Sequence, residues 1–426
     1  MPTPLTFKMI DYTFKTTSYL PTMPIEYQAE PLAMNFTRIT SANWRQFWPW
    51  LFLGYGMIGI VGLGSTAYVV TRQLIRPSPD VTLKHLFTYV IMLASGSVVV
   101  GIVYYIQKYG ECAINRLYRL FEFNEEFEAV KYEEMAKSGV KKAKKYPIWR
   151  NETGTLDYFG ISVAAMLLPL PSIPLIVALF SFLANLTVYK YMVRDFISTA
   201  MYNWIPMRVT IHVVSAIITY VSIAECLRLI TIMGIVSIGP VQMTLRAIQQ
   251  LGKVELEGWR TNQTRIQNIQ SVYLKFVQIK ILEQTLHGGE SSFIFLLIQT
   301  GIRLAAASLY GMMKLHSVLP LGFYMLFPFA AFAVLGISQQ LLPVVVSVHV
   351  NSKRILKRWT KKLDGSQGHW EDKHLRRQFQ ALRPLTIVAG LNGFVFFVLD
   401  QKMKSQFVTS ILDDTINLLI SLPQLD

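Results

Sequence analysis

The chain has 426 residues, of which 52% are hydrophobic and 16% charged, and its formal net charge is +15. Soluble domains carry about 25% charged residues, so this composition excludes an ordinary soluble protein. Apolar runs of roughly 18 or more residues recur along the chain, which predicts a polytopic α-helical membrane protein in a lipid bilayer. The basic residues cluster in loops and not on one amphipathic face, so we expect no nucleic-acid partner. The two cysteines offer neither a disulfide framework nor enough ligands for a metal site.

Seven apolar segments are predicted to span the membrane, at residues 48–70, 86–106, 158–186, 208–243, 292–315, 319–350 and 401–422. The charged stretch 107–155 follows the second segment, and its helical spacing of apolar residues predicts a helix outside the bilayer. The third segment contains Pro169, Pro171 and Pro174, which must kink or break it.

The fourth segment is longer than a membrane span requires, because about 35 residues rise about 52 Å against a core of about 30 Å. Either one tilted helix continues into the aqueous phase, or residues 209–243 hold two short segments. Glu225 and Arg228 within it are three residues apart and are predicted to neutralise each other on one helix face. A polar helical stretch then leads into the fifth segment, and a basic linker follows the sixth.

Lysine and arginine are distributed unequally between the two sides of the predicted bundle. About 32 of the 41 lie on the side of the N-terminus. This bias predicts a cytosolic N-terminus, an extracellular C-terminus and long fourth to sixth helices that extend into the cytosol. Splitting the fourth segment would move the basic linker to the outer face, so the charge distribution favours one long helix.

Motifs of other classes are absent from the sequence. The predicted orientation is the reverse of a G-protein-coupled receptor, and neither an acidic–Arg–Tyr nor an Asn-Pro-x-x-Tyr motif occurs. A phosphate-binding glycine loop, HExxH and a nucleophile elbow are missing as well, so we expect neither an enzyme nor a cofactor.

Residues 376–421, RRQFQALRPLTIVAGLNGFVFFVLDQKMKSQFVTSILDDTINLLIS, resemble the C-terminal region of the arthropod gustatory and odorant chemoreceptors. The matching pieces are a turn, a glycine–phenylalanine loop and a threonine, at Arg383-Pro384, Gly390 to Leu399, and Thr415. The chain departs from the family pattern after that threonine, with Ile416 in place of a tyrosine and Leu422-Pro423 in place of Gln-Phe.

The resemblance implies a chemosensory ligand-gated, non-selective cation channel, taste-receptor-like, in the plasma membrane of sensory neurons. It implies a homo- or hetero-tetramer joined through the cytosolic ends of helices 4–7 and opened by a small-molecule tastant or odorant. The implied organisation is a cytosolic N-terminus (1–47), helices 1–6 with an outer-half ligand pocket and cytosolic loops (48–350), a cytosolic linker and short helix (351–400), and a pore-lining helix 7 (401–422).

By the same resemblance, Leu419 and Leu422 face the pore, with Leu419 at a hydrophobic constriction that gates by dewetting. Leu412 and Thr415 continue that face at helical spacing. Asp413 and Asp414 would be costly in lipid, and one of them per subunit is expected to form an acidic ring nearer the inner vestibule.

Candidate ligand contacts are aromatic or charged side chains of the predicted outer halves. Each aromatic has a simpler alternative as core or interfacial packing, and Arg303 has the alternative of snorkelling or pairing with a carboxylate. His212 is interpreted as structural or pocket-lining and not as a metal ligand. The set is Tyr89, Phe182, His212, Tyr220, Arg303, Tyr310, Phe323 and Tyr324.

Two further points follow from the sequence. Asn185 begins an Asn-x-Thr sequon in a predicted outer loop, so it is the expected glycosylation site. Val272, Phe276, Ile279 and Leu282 form an apolar stripe that packs either within the subunit or between subunits.

A metabotropic seven-helix receptor and a secondary transporter remain the alternative functions, the latter because of the broken third segment.

Overall fold

The computed structural model describes residues 4–28, 33–78, 81–137, 147, 149–150, 156–183, 187–202, 204–257, 262–284, 287–316, 321–364, 370–391 and 394–421. Its α-helices, in chain order, are α1 (Pro4–Thr16), α2 (Trp44–Leu51), α3 (Gly64–Ile75), α4 (Leu83–Lys137), α5 (Tyr158–Leu167), α6 (Ile173–Leu183), α7 (Val188–Phe196), α8 (Thr199–Tyr202), α9 (Ile205–Glu257), α10 (Asn262–Gln284), α11 (His287–Lys314), α12 (Leu321–Tyr324), α13 (Leu326–Asp364), α14 (Trp370–Ala381) and α15 (Met403–Ser421). Two antiparallel hairpins pair β1 (Ile25–Gln28) with β2 (Ala33–Phe36) and β3 (Val388–Leu391) with β4 (Phe394–Val398).

Within the described residues, five helices are long and apolar enough to cross a membrane, and a bent pair raises the number to six. The five coincide with the predicted first, second, fourth, fifth and sixth segments. The bent pair is α6 and α7, which meet at 49°. A turn at residues 168–172 also separates α5 from α6, so the prolines break the third segment as predicted. The predicted seventh segment coincides with α15, a helix of 19 residues that is not among the helices counted as long and apolar enough to span a membrane.

The first segment is continuous because α2, a π-helical stretch at Phe52–Leu63 and α3 follow one another without a break. The stretch FLGYGMIGIVGL contains four glycines, whose freedom accommodates the wider π-helical turn.

One predicted boundary needs correction, and the choice left open for the fourth segment is decided in favour of one long helix. The second segment does not end before a separate cytosolic helix, because α4 runs unbroken for 55 residues. Residues 209–243 form one helix, since α9 extends over 53 residues with Pro240 inside it. At 1.5 Å per residue both helices are about 80 Å long, more than twice the thickness of a bilayer core. The predicted overrun of the fourth helix is therefore confirmed.

The linker 351–400 contains an element that the sequence did not predict. The short helix is present as α14, but the glycine–phenylalanine loop folds into the β3–β4 hairpin. The pairing shifts register between Ala389 and Gly390. A Cβ atom on Gly390 would collide with the carbonyl oxygen of Phe394, so the hairpin requires glycine there.

A core of aromatic rings joins α9, α10, α13 and α14. Phe276, Trp359 and Phe379 are fully buried and meet edge to face, with centroids 5.2 to 5.8 Å apart. Ile279 belongs to the same cluster. Phe276 and Ile279 of the apolar stripe therefore pack within the chain.

The N-terminal segment is ordered against the bundle and is more than a polar tail. Helix α1 packs on α5, and Met23, Ile25 and Met34 enter the core formed by α4 and α9. Tyr19 stacks on Tyr220 of α9 with ring centroids 6.2 Å apart.

Candidate functional site

One face of α15 packs inside the chain. Met403, Phe407, Ile411 and Thr415 recur at intervals of four residues and are buried against α11 and the β3 strand. The ring of Phe407 lies against Gly301, which sets the height of α15 relative to α11. Thr415 Oγ1 donates a hydrogen bond of 2.7 Å to the carbonyl oxygen of Ile411.

The opposite face of α15 is exposed. Leu412, Asp413, Ile416 and Ile420 are exposed, and the exposed fraction of Ile420 reaches 76%. A protein in a bilayer presents such a face to lipid, to a second chain or to a water-filled path. The mixture of apolar residues and one carboxylate is poorly suited to lipid alone.

The residues expected in the pore therefore separate. Leu412 and Asp413 lie on the exposed face, whereas Thr415 is 4% exposed and lies on the packed face. Leu419 is half-buried at the border between the two faces, and Asp414 is half-buried on the other border. Leu422 lies outside the described residues.

A cavity of about 540 Å³ lies among α4, α11 and α15. It brings together two of the predicted ligand contacts, Arg303 and Tyr310, with the predicted pore residue Asp414. Most of its wall is apolar, and the apolar residues include Leu86, Val90, Ile91, Ala94, Leu304, Ala307 and Leu418. We call it the large cavity. Its size is within the range of small-molecule sites.

The large cavity contains one side chain of each charge. Arg303 projects from α11 and Asp414 from α15, and neither forms an ion pair with any residue in the described part of the chain. Both lie on helices of the predicted membrane region, where an unpaired charge is expensive. The site is therefore charged at two points and apolar elsewhere.

The other predicted ligand contacts lie elsewhere. Tyr89 is fully buried beside Val188 and Tyr191, and its hydroxyl has no hydrogen-bond partner among the described residues. Phe182 and His212 meet edge to face at 5.7 Å. Tyr324 donates a hydrogen bond of 3.2 Å to the carbonyl oxygen of Met312, on the chain segment before it. The eight candidates do not form a single pocket.

Three predicted residues need a separate statement. Tyr220 faces the N-terminal segment, where its hydroxyl donates to that of Tyr19 at 3.2 Å. The side chain of Phe323 and the whole of Asn185 lie outside the described residues.

A second cavity of about 150 Å³ lies among the π-helical stretch, α3, α4, α6, α7 and α9. Ser181, Thr187 and Ser222 line it, and their hydroxyl groups have no hydrogen-bond partner among the described residues. Sequence reasoning missed this site because it searched for aromatic residues, and short hydroxyl side chains are common in membrane helices.

Two buried ion-pair clusters connect helices of the bundle, and the first of them joins α4 and α11, two helices that wall the large cavity. Arg116 of α4 is 2.6 Å from Glu283 of α10 and also pairs with Glu290 of α11, while Thr244 of α9 donates to Glu283 at 2.7 Å. The sequence did not single out Arg116, because it lies in a stretch that was predicted to be cytosolic.

The second cluster confirms the predicted pair on the fourth segment. Arg228 is 2.6 Å from Glu225, and Trp50 of α2 donates a 2.9 Å hydrogen bond to the same carboxylate. Among the described residues, no group of three or more His, Cys, Asp or Glu side chains is arranged to hold a metal ion.

The fold and these sites define a multi-pass helical membrane protein whose last helix is packed on one face and exposed on the other. Comparison with protein-family models and with curated sequences gave no match. Among solved structures, the insect olfactory receptor OR5 from Machilis hrabei in complex with eugenol matches with a TM-score of 0.56 at 12% identity, over 97% of this chain and 98% of that one. A second structure of that receptor matches with a TM-score of 0.55 at the same identity and coverage.

At this identity the likeness concerns the fold. The chain has the fold of the insect olfactory receptor structures, and the match extends over nearly the whole length of both proteins. The fold expected from the resemblance in residues 376–421 is thereby confirmed.

Proposed function

We propose that the chain is one subunit of a chemosensory, ligand-gated cation channel in the plasma membrane of sensory neurons. The observation that carries the proposal is the exposed face of α15, in a chain with the fold of an olfactory receptor. Four copies arranged around one axis, with these faces turned inward, would enclose a path. The resemblance of residues 376–421 to the gustatory and odorant receptors supports a tastant or odorant as its stimulus.

The exposed face has the chemistry that a cation path needs. Asp413 would contribute one carboxylate per subunit to an acidic ring, and Leu412, Ile416 and Ile420 would supply apolar surface. Leu419, at the border of the face, would form the constriction when α15 turns it toward the axis. Such an apolar ring closes a pore by excluding water.

The large cavity is proposed as the ligand site because α15 forms part of its wall. A ligand held between α4, α11 and α15 contacts the pore helix directly. It opens the channel if it binds more tightly to the conformation in which α15 has moved outward. Eugenol is bound by the matched receptor and is a reasonable first probe here.

Voltage-clamp recording from oocytes tests the proposal. Leu419→Ala shortens the side chains at the constriction, so we expect a larger current in the absence of any ligand. Val408→Ala, at a half-buried position nearly three turns earlier on α15, is the matched control and should leave the resting current unchanged. A Leu419→Ala protein that reaches the surface and shows neither an altered resting current nor an altered evoked current contradicts the pore assignment.

The metabotropic alternative differs in orientation. A tag after the last residue should be stained on intact cells if the chain has an extracellular C-terminus. Staining that requires permeabilised cells would favour the metabotropic receptor, which has a cytosolic C-terminus.

A further inference from the structure

We propose that the large cavity binds a small zwitterion, a molecule that carries a carboxylate and an ammonium group on one apolar body, as an aromatic amino acid does. The inference rests on the proposed function only for its consequence, the opening of a channel. The binding itself is argued from the cavity alone. It begins with Arg303 and Asp414, the two charged residues of the wall.

The heights of the two charges follow from the packing of α15 on α11. Phe407 lies against Gly301, Arg303 is two residues beyond Gly301, and Asp414 is seven residues beyond Phe407. Because both chain segments rise in the same direction from that contact, the two Cα atoms differ by about 7–8 Å along the helix axes. A ligand whose charged groups are a few ångströms apart can reach a long arginine side chain and a short aspartate across this offset.

Each charge alone would select a different ligand. A molecule with only a carboxylate would be attracted by Arg303 but repelled by Asp414. A molecule with only an ammonium group would be attracted by Asp414 but repelled by Arg303. A neutral molecule would displace water from the two charged groups without offering either of them a partner, which weakens its binding. A zwitterion compensates both charges at once.

The remaining wall fits an apolar body of moderate size. Leu86, Val90, Leu304 and Leu418 supply apolar surface, and Tyr310 adds an aromatic ring. The volume of about 540 Å³ accepts an aromatic amino acid with space to spare. Thr300 and Asn417 lie on the same wall and offer hydrogen-bonding groups beside the charges.

Three matched probes test the charge requirement. L-phenylalanine carries both charges, 3-phenylpropanoate lacks the ammonium group, and 2-phenylethylamine lacks the carboxylate. Their affinities are measured by calorimetry on the full-length protein in nanodiscs. We expect L-phenylalanine to bind at least tenfold more tightly than either analogue. Equal affinity of the three probes overturns the proposal, as does the absence of L-phenylalanine binding in every lipid tested.

Substitutions separate recognition from a structural effect. Arg303→Gln should abolish the preference for L-phenylalanine over 2-phenylethylamine, and Asp414→Asn should abolish its preference over 3-phenylpropanoate. Asp413→Asn, a change of the adjacent carboxylate that does not line the cavity, should leave all three affinities unchanged. Unchanged selectivity in both cavity variants contradicts the assignment, and a general loss of folding would not produce these two opposite changes.

A zwitterionic lipid headgroup shares this chemistry, so the measurements are made in phosphatidylglycerol and in phosphatidylcholine nanodiscs. Equal affinity in both supports a soluble ligand, and weaker binding in phosphatidylcholine shows that its headgroup competes for the same two charges. The calorimetry is independent of any current. A protein that binds L-phenylalanine but carries no current in the oocyte recordings therefore contradicts only the channel. A protein that conducts but fails to bind contradicts only the zwitterion site.

Discussion

The indole nitrogen of Trp50 donates a hydrogen bond of 2.9 Å to Oε1 of Glu225, across 175 residues of sequence. Glu225 is fully buried and is also paired with Arg228 at 2.6 Å. The contact attaches the beginning of the first membrane helix to the middle of α9. A buried carboxylate needs such partners, because an uncompensated charge inside a protein is strongly destabilising.

Replacing Trp50 with phenylalanine keeps an aromatic ring in the core but removes the N–H donor to Glu225. Hydrogen bonds to charged groups contribute about 1.5–3 kcal/mol, so we expect a loss of stability of that order plus the effect of a smaller ring. Thermal unfolding of the purified protein measures it. The control is Trp48→Phe, at a half-exposed tryptophan two residues earlier on the opposite side of α2, which should change stability little. Equal losses in the two variants would show that ring size, and not the hydrogen bond, determines the result.

Removing the arginine from the Arg116 cluster should be more damaging. Arg116→Gln leaves Glu283 and Glu290 close together without their shared cation. Breaking a buried pair typically costs 3–5 kcal/mol. The measurements are thermal unfolding and the yield of monodisperse protein.

A control for this prediction lies three residues away. Arg119 pairs with Glu122 at 3.3 Å, but both side chains are exposed, so Arg119→Gln should lose about 0–1 kcal/mol. If the two arginine variants unfold at the same temperature, the cluster has no special role. Replacing Glu283 and Glu290 with glutamine as well should restore part of the stability, because the unpaired negative charges are then absent.

Gly390→Ala should disrupt the β3–β4 hairpin, because the new methyl group would collide with the backbone of Phe394. Backbone atoms cannot move aside as a flexible side chain can, so the hairpin or the start of α15 must shift. We expect a lower unfolding temperature and less protein at the cell surface. Gly101→Ala on α4 is the control, since no atom lies within 4 Å of its added Cβ, and alanine favours helix. A stable Gly390→Ala protein would rule out the tight approach of the two strands.

In the proposed tetrameric channel, Asp413→Asn should reduce the preference for cations over anions. Each of the four proposed subunits would lose one carboxylate from the path. The reversal potential in a sodium chloride gradient should therefore move toward that of a pore that does not distinguish cations from anions. The measurement uses the Leu419→Ala background, where current flows without ligand. Asp414→Asn is the control, because Asp414 lines the large cavity. Its replacement should change ligand binding more than ion selectivity. An unchanged reversal potential after Asp413→Asn excludes the acidic ring.

The membrane helices were predictable from the sequence because a lipid bilayer imposes one strong constraint on the backbone. Every backbone polar group in a bilayer must be paired within the chain, so apolar runs had to be helices, and the prolines near Pro171 had to break one. The end of α4 was not predictable in this way. Charges after Ile106 suggested a boundary, but the helix continues because Arg116 finds acidic partners on α10 and α11.

The candidate site was predicted in part, for a similar reason. Arg303 is predictable as a functional residue because a charge in a membrane helix is expensive, and it does line the large cavity. The contribution of α15 to the same cavity depends on the contact between Phe407 and Gly301, which no local pattern encodes. The hairpin was missed because its strands read as a short apolar loop, and pairing depends on the single position Gly390.

The unbroken course of α4 has a mechanical consequence. One end of this helix borders the large cavity at Leu86 and Val90, and the helix then continues past Arg116 to Lys137. A rigid rod that pivots by about 5° at Arg116 moves Leu86, about 45 Å away, by about 4 Å and Lys137, about 32 Å away, by about 3 Å. Helix α4 is therefore a lever with Arg116 near its fulcrum, and a rearrangement beside the cavity is transmitted as an opposite movement of similar size at the other tip.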